Sequence, residues 1–277
     1  MNKGEGSKTA VAAAMLRAAH QLLDGPHKLL ADPVVLRLLG TEAIEWILAN
    51  QQYYFLPGIL AMRTHIVLRS RYAEDCLKVA CKEGIRQYLI LGAGLDTFAF
   101  RQPDWAKELQ IIEADHPASQ QNKKERLDKA ALSMPSNLHF LETDLESLEL
   151  QLALNSPLID YHKPVFVACL GVLIYLSPQS IANLFRWAGG LPQGSQLVFT
   201  ASFNTESRNS LLADKAAKAG EPWISYFSMP ELEARLIECG FDHIELLTPA
   251  IAEEQYFKGA HLVLPPPRRT SIVKAVI

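Results

Sequence analysis

The chain has 277 residues, 49% hydrophobic and 21% charged, enough to bury a sizeable core in one domain. A net charge of −3 and a pI near 6.3 offer no general attraction to nucleic acid or to an anionic membrane surface. The longest apolar run, Val165–Leu176, falls well short of the roughly 20 residues that span a bilayer.

Met1–Ser7 is polar and lacks the apolar core of a secretion signal, so none is expected. Residues 8 to 83 then carry helical patterns and no strand pattern. Lys8–Leu23 is rich in Ala and Leu and is stopped by Asp24-Gly25-Pro26. Asp32-Pro33 and Thr41 each mark the start of a short helix. Thr64–Lys82 reads as one more amphipathic helix, ended at Gly84. A helical cap over residues 1–84 is therefore expected ahead of a sheet over 85–277, both within a single domain.

From Gln87 the pattern alternates. Strands are predicted over 87–91, 109–114, 137–142, 164–169, 196–203, 243–248 and 270–277, with helices near 117–131, 178–188, 206–218 and 229–239. Ser177-Pro178 supplies an N-cap followed by proline at the first helical position. Ser228-Met-Pro-Glu231 matches a capping box in which Glu231 reaches back to the Ser228 amide. The central runs (YLIL, VFVACL, QLVFTA) are apolar throughout, as strands covered on both faces should be. The fold class is α/β, a doubly wound parallel sheet. Pro265-Pro-Pro267 argues against a helix between the last two strands, which are then free to pair antiparallel.

The four cysteines (Cys76, Cys81, Cys169, Cys239) have no metal-type spacing. Cys76 and Cys81 point in different directions on one helix, which disfavours a bridge. Free thiols in a reducing cytoplasm fit best.

The chemistry is carried by Tyr88-Leu-Ile-Leu-Gly-Ala-Gly-Leu-Asp-Thr97 and Ile111-Ile-Glu-Ala-Asp115. The spacing from Gly92 to Asp115 is about one β-loop-α-β unit. Glycines let the backbone pass under a ligand, and an acid at the tip of the next strand can hold two ribose hydroxyls. A dinucleotide site would carry a third Gly or Ala where this chain has Thr97, and Asp96 would repel a pyrophosphate. S-adenosylmethionine has no phosphate and carries a sulfonium and an ammonium, so acids at the mouth favour it. Asp115 suits its ribose, and Asp144 and Leu145 its adenine. As isolated residues these would more often be helix caps and loop acids; three in order at successive strand ends favour a site.

At these motifs the chain resembles the leucine carboxyl methyltransferase family, including its bacterial S-adenosylmethionine-dependent branch. The resemblance runs from Ser7-Lys-Thr-Ala10 through Arg69-Ser-Arg-Tyr72, Ile85–Thr97, Glu113-Ala-Asp-His-Pro117 and Thr143-Asp-Leu145 to Gly171-Val-Leu-Ile-Tyr-Leu176 and Gly220-Glu-Pro222. It implies a seven-stranded class I methyltransferase (Rossmann-like) sheet with an N-terminal helical cap, and O-methylation, often of a carboxylate. It further implies that Gly92, Ala93 and Gly94 pass under the cofactor and that a cap arginine meets the methionine carboxylate. Arg71 is the closest match for that arginine, with Arg69 the neighbouring alternative. Lys8 matches a cap lysine at the methionine end. Leu170 stands where the family usually has a Glu, which removes a carboxylate from beside the amino-acid end of the cofactor.

Methyl transfer needs in-line alignment and exclusion of water. A carboxylate nucleophile is already ionised at neutral pH, whereas a phenol needs a base. The sequence offers no compact His-Asp pair. Tyr175 is the candidate catalytic residue, facing the methyl, with a buried structural aromatic equally plausible. His116 reads as a loop residue. His20 and His65 sit on cap helices that can roof a pocket, and Arg17 and Arg63 can anchor a substrate carboxylate, although helix packing and solvated faces are commoner fates. Trp223, Tyr226 and Phe227 suit an aromatic pocket or ordinary core. Pro265-Pro-Pro-Arg-Arg269 reads as a stiff turn. The expected activity is methylation of a small-molecule substrate, with no nucleic acid or membrane partner. The rivals are a protein C-terminal carboxyl methyltransferase and a non-catalytic binding protein.

Overall fold

A computed structural model describes residues 7–147, 150–203, 211–218 and 220–277. The apolar runs after residue 86 can cover both of their faces only between two helical layers, and they form one seven-stranded sheet. β1 (Gln87–Leu91), β2 (Gln110–Asp115), β3 (Leu138–Glu142), β4 (Val165–Cys169) and β5 (Gln196–Thr200) run parallel. β7 (Ile272–Val276) is antiparallel to both of its neighbours, β5 and β6 (His243–Leu246). The spatial order is β3-β2-β1-β4-β5-β7-β6.

Alternation along each strand divides the core in two. On one face, Leu89, Leu91, Val165, Val167, Leu197 and Phe199 pack with α7 (Leu150–Leu154), α8 (Pro178–Gly189) and α10 (Met229–Glu238). On the other, Tyr88, Ile90, Ile111, Phe166 and Val198 pack with α5 (Pro57–Lys82). Ahead of the sheet, α1 (Lys8–Leu23), α2 (Val34–Leu39), α3 (Thr41–Ala49) and α4 (Gln51–Tyr54) join α5 in a helical cap. Its core (Ala14, Ala18, Val35, Leu38, Ile47, Tyr54) includes Leu95 from the loop after β1 and Leu127 from α6 (Pro117–Lys129), so the cap is seated on the sheet's ligand-facing edge.

The predicted strands are present, and the elements differ from expectation at several places. α5 begins at Pro57 rather than Thr64, because proline is preorganised for the first turn. Ser228 Oγ accepts from the Glu231 amide (3.3 Å), but the Glu231 side chain pairs with Arg235 (2.7 Å) instead of returning to residue 228. A helical segment does intervene between β6 and β7: α11 (Pro249–Ala252), capped by Thr248, runs into one π-helical turn over Glu253–Phe257, ahead of the prolines. α7 had no sequence signal. Of the helix predicted over 206–218, α9 (Leu211–Lys218) is observed and 206–210 lie outside the described residues. No helix among the described residues is long and apolar enough to cross a membrane. The four cysteines are free.

Candidate functional site

The strand order reverses between β1 and β4. In an open α/β sheet a ligand fits the crevice at that reversal, outside the carboxyl ends of the strands. The turn leaving β1 is shaped for close approach. Gly92 and Gly94 hold φ of +63° and +51°, left-handed values that side chains rarely adopt. A Cβ on Gly92 would overlap Val172, and one on Gly94 would lie 3.0 Å from the Ala10 side chain. The Gly92 amide donates to the Ala114 carbonyl (2.8 Å) and the Gly94 amide to Asp115 Oδ2 (2.5 Å). Asp115 Oδ1 accepts from the His116 amide (2.7 Å). Burial pushes the Asp115 carboxyl above its ordinary range, against these two backbone hydrogen bonds. After β3, the Thr143 amide donates to the Asp115 carbonyl (2.8 Å), and Asp144 Oδ1 accepts from the Glu146 amide (3.0 Å).

These elements enclose a cavity of about 1140 Å³ lined by Gly92, Ala93, Gly94, Asp115, Asp144 and Leu145, joined by Lys8, Leu170 and Tyr175. Asp96 lines it too, while its Oδ1 caps the Phe98 amide (2.8 Å). Thr97 donates to Asp32 Oδ1 (2.8 Å). The residues that break the dinucleotide pattern thus hold the turn itself.

Arg71 is not brought to the cavity. Its guanidinium donates to Asp75 (2.8 Å) and to the Leu29 carbonyl (3.2 Å), and it lies over the Tyr256 ring. Residues two apart on a helix diverge by about 200°, so Arg69 takes the cavity side with Met62, His65 and Ile66. The Arg69 guanidinium makes no hydrogen bond or ion pair to a described residue. It lies against Gly171, whose φ is +75° and whose Cβ, if present, would overlap it. Burial lowers the Arg69 pKa to about 10, Tyr175 opposes that and Arg17 adds to it, so the group stays cationic at neutral pH. An unpaired, largely desolvated cation beside a glycine turn is a ready carboxylate site.

Two described imidazoles line the cavity wall, His65 and His116. Burial, aided by Arg69, lowers His65 to about 3. His116, in the turn between β2 and α6, is the N-cap of α6, its Nδ1 accepting from the Ala118 amide (3.2 Å). The Tyr175 hydroxyl accepts from Trp223 Nε1 (3.3 Å), and both residues line the cavity, whereas Tyr226 and Phe227 do not. His20 and Arg63 also lie outside it, held in a buried cluster: His20 Nδ1 meets Asp24 (2.8 Å), and Arg63 donates to Asp24 (2.7 Å) and to the Tyr54 carbonyl (2.8 Å). Arg17 does line the cavity but is engaged, donating to the Leu95 carbonyl (2.5 Å) with Asp32 3.5 Å away. Arg269, after the proline turn, reaches the wall.

Two features escaped sequence reasoning. Glu221 Oε2 accepts from the Thr9 amide (3.0 Å) and Ser7 Oγ (3.2 Å), pinning the start of α1 over the cavity from 212 and 214 residues away. Asp32, fully buried, gathers Thr97, Arg17 and Arg101, and Arg101 in turn chelates Glu74. Asp32 is a lone acid in an apolar stretch, but its partners come from two distant segments, Arg17 on α1 and Thr97 with Arg101 after β1. Together these contacts couple the cap to the glycine turn.

The residues present fit S-adenosylmethionine: a glycine cradle that a Cβ would fill, a carboxylate at the β2 tip, and a cation, Arg69, on the wall of the same cavity. The comparisons with known proteins agree. Residues 10–189 match the family model "Leucine carboxyl methyltransferase". The Bacillus subtilis protein YktD, which takes its name from S-adenosyl-L-methionine-dependent methyltransferases, is 32% identical over 94% of each chain. A Mycobacterium tuberculosis protein of the same designation, Rv3787c, is 28% identical over 70% of this chain and 64% of its own. Among solved structures, a Thermobifida fusca protein described as a methyltransferase covers 99% of this chain and 96% of its own, with a TM-score of 0.56 and 17% identity. A DUF574 family protein from Streptomyces avermitilis superposes equally well, at 0.56 with 16% identity. At those identities the structural likeness shows the fold alone, a class I methyltransferase sheet.

Proposed function

The chain belongs to the leucine carboxyl methyltransferase family and is an S-adenosylmethionine-dependent methyltransferase, and from that premise we propose that it methylates an oxygen of a small molecule, a carboxylate in the first place and a phenol in the second. When bound, the cofactor supplies an electrophilic methyl group on a sulfonium. In this reading residues 1–84 serve as cap and 85–277 as cofactor-binding core of one domain. Asp115 accepts from the ribose hydroxyls, Asp144 and Leu145 border the adenine, and Gly92–Gly94 let the backbone pass beneath. Arg69, in place of Arg71, holds the methionine carboxylate, with Lys8 near the same end. Leu170 packs at the tip of β4 and adds no charge there. α1, latched by Glu221, keeps water from the reacting atoms. The Tyr175 hydroxyl faces the acceptor and orients it by hydrogen bonding.

One observation carries the choice of acceptor: of the two described imidazoles that line the cavity, burial holds His65 at about 3, and His116 has its Nδ1 taken up by the Ala118 amide. An acceptor that is already ionised needs no base, which favours a carboxylate. The family's name points the same way. The test is transfer of a labelled methyl group from S-adenosylmethionine to parallel panels of carboxylic acids and phenols. Label that is released as methanol in mild base marks an ester and supports the reading. Base-stable label appearing only with phenols would replace it with phenol methylation.

A further inference from the structure

We propose that the acceptor is a monocarboxylic acid with an extended apolar body, held head inward under the cap with its tail leaving beside Trp46. This rests on the carboxylate reading above. The cavity is chemically two-ended. Its cofactor end carries the acids and the cations Arg69 and Arg17, whereas its cap end is walled by Ala12, Ala13, Leu16, Trp46, Tyr54 and Met62, with no charged side chain among these six. At about 1140 Å³ it is larger than the roughly 300–1,000 Å³ of an ordinary single-ligand pocket, so a second molecule fits beside the cofactor.

The apolar wall also reaches the outside. Trp46 lines the cavity and is nevertheless 47% exposed. Its ring meets Tyr53 and Tyr54 edge-on, with centroids 6.1 and 5.9 Å away, and the chain then presents Phe55 and Leu56 at 42% and 51% exposure. Aromatic surface therefore continues from the interior to an apolar rim. A polar tail lying along this wall would lose its water without gaining partners. A second charge at the tail would face these six side chains, none of which is charged. The carboxylate head belongs at the cofactor end, where the transferable methyl lies, and an apolar body matches the cap end.

The test is calorimetric titration of the S-adenosylhomocysteine-loaded protein with butanoic, hexanoic, octanoic, decanoic and dodecanoic acids, with methyl transfer measured on the same series. Each buried methylene should improve affinity by about fourfold, the equivalent of ~0.8 kcal/mol, until the chain passes the opening, after which the gain should level off. Trp46→Ala, a change at an exposed position, should abolish the gain for the longer acids and leave the shorter ones unaffected. An affinity that is flat along the series, or a Trp46→Ala loss equal for every member, would overturn the proposal. If acids are methylated without chain-length dependence, the apolar-body inference fails while carboxylate methylation stands. If long acids and alcohols of equal length bind alike and no acid is methylated, the carboxylate reading fails while the channel stands. If no acid binds and Trp46→Ala changes the sedimentation of the protein, the rim is an interface between copies and the proposal is wrong.

Discussion

Replacing Arg69 by Met should move two properties in opposite directions. The guanidinium is half-buried at the cavity wall, and no described side chain neutralises it. A lowering of its pKa to about 10 corresponds to roughly 3 kcal/mol of unfavourable burial at about 1.4 kcal/mol per pH unit, part of which water in the cavity screens away. Methionine fills similar space without the charge, so the ligand-free variant should be more stable by about 1–3 kcal/mol. In a chain of this size each kcal/mol raises Tm by about 2–4 °C. Cofactor binding should fall. A charge-assisted hydrogen bond to a carboxylate contributes about 1.5–3 kcal/mol, which corresponds to a tenfold to hundredfold weaker Kd for both S-adenosylmethionine and S-adenosylhomocysteine. Thermal melts with and without ligand, alongside calorimetry, read both effects in one preparation. A variant that melts lower than the wild type yet binds the cofactor normally would refute the reasoning, since Arg69 would then be a structural residue.

Further outcomes are expected elsewhere. Asp115→Asn should weaken cofactor binding about tenfold by calorimetry with little change in Tm, and wild-type affinity should fall as acid protonates a carboxyl whose burial raises its pKa. Because His65 titrates at about 3 when folded and near 6.5 when unfolded, stability is full above pH 6.5 and is lost as pH falls towards 3. Denaturant titrations of wild type and His65→Gln across that window should diverge by up to about 1.4 kcal/mol per pH unit, the wild type falling faster. Glu221→Ala removes the acceptor of the Thr9 amide, which should cost about 1 kcal/mol locally. Hydrogen exchange should then quicken over the first turn of α1 while β1 and β4 stay protected, and the KM for the acceptor should rise more than kcat falls.

The central strands were legible because burial on both faces leaves an uninterrupted apolar run: β1 spans 87–91 as expected. β5 was expected to reach residue 203, but its ladder ends at Thr200, opposite Ile272, the first residue of β7. Apolar composition carries on past the point where the partner strand stops, so composition alone overshoots. The segment at 249–257 was hidden because four α-helical residues and one π turn are too short to show a period. Among candidate site residues, those that follow strand ends (Gly92, Gly94, Asp115, Asp144, Leu145) share one cavity because a parallel sheet aligns its carboxyl ends. The cap arginine was different. A motif fixes residue types, but which of two arginines two positions apart faces inward is decided by helix rotation. Asp75, four residues after Arg71, was a pairing signal for the outer face, and Met62, His65 and Arg69 share the inner one. Contacts such as Glu221 to Thr9 depend on tertiary closure and left no local trace.

The most direct measurement is titration calorimetry of the purified protein with S-adenosylmethionine, S-adenosylhomocysteine and NAD. The account predicts micromolar binding of both adenosyl compounds, both weakened tenfold to hundredfold in Arg69→Met, and no heat from NAD. Binding of NAD, or failure of both adenosyl compounds to bind, would contradict the assignment of this cavity.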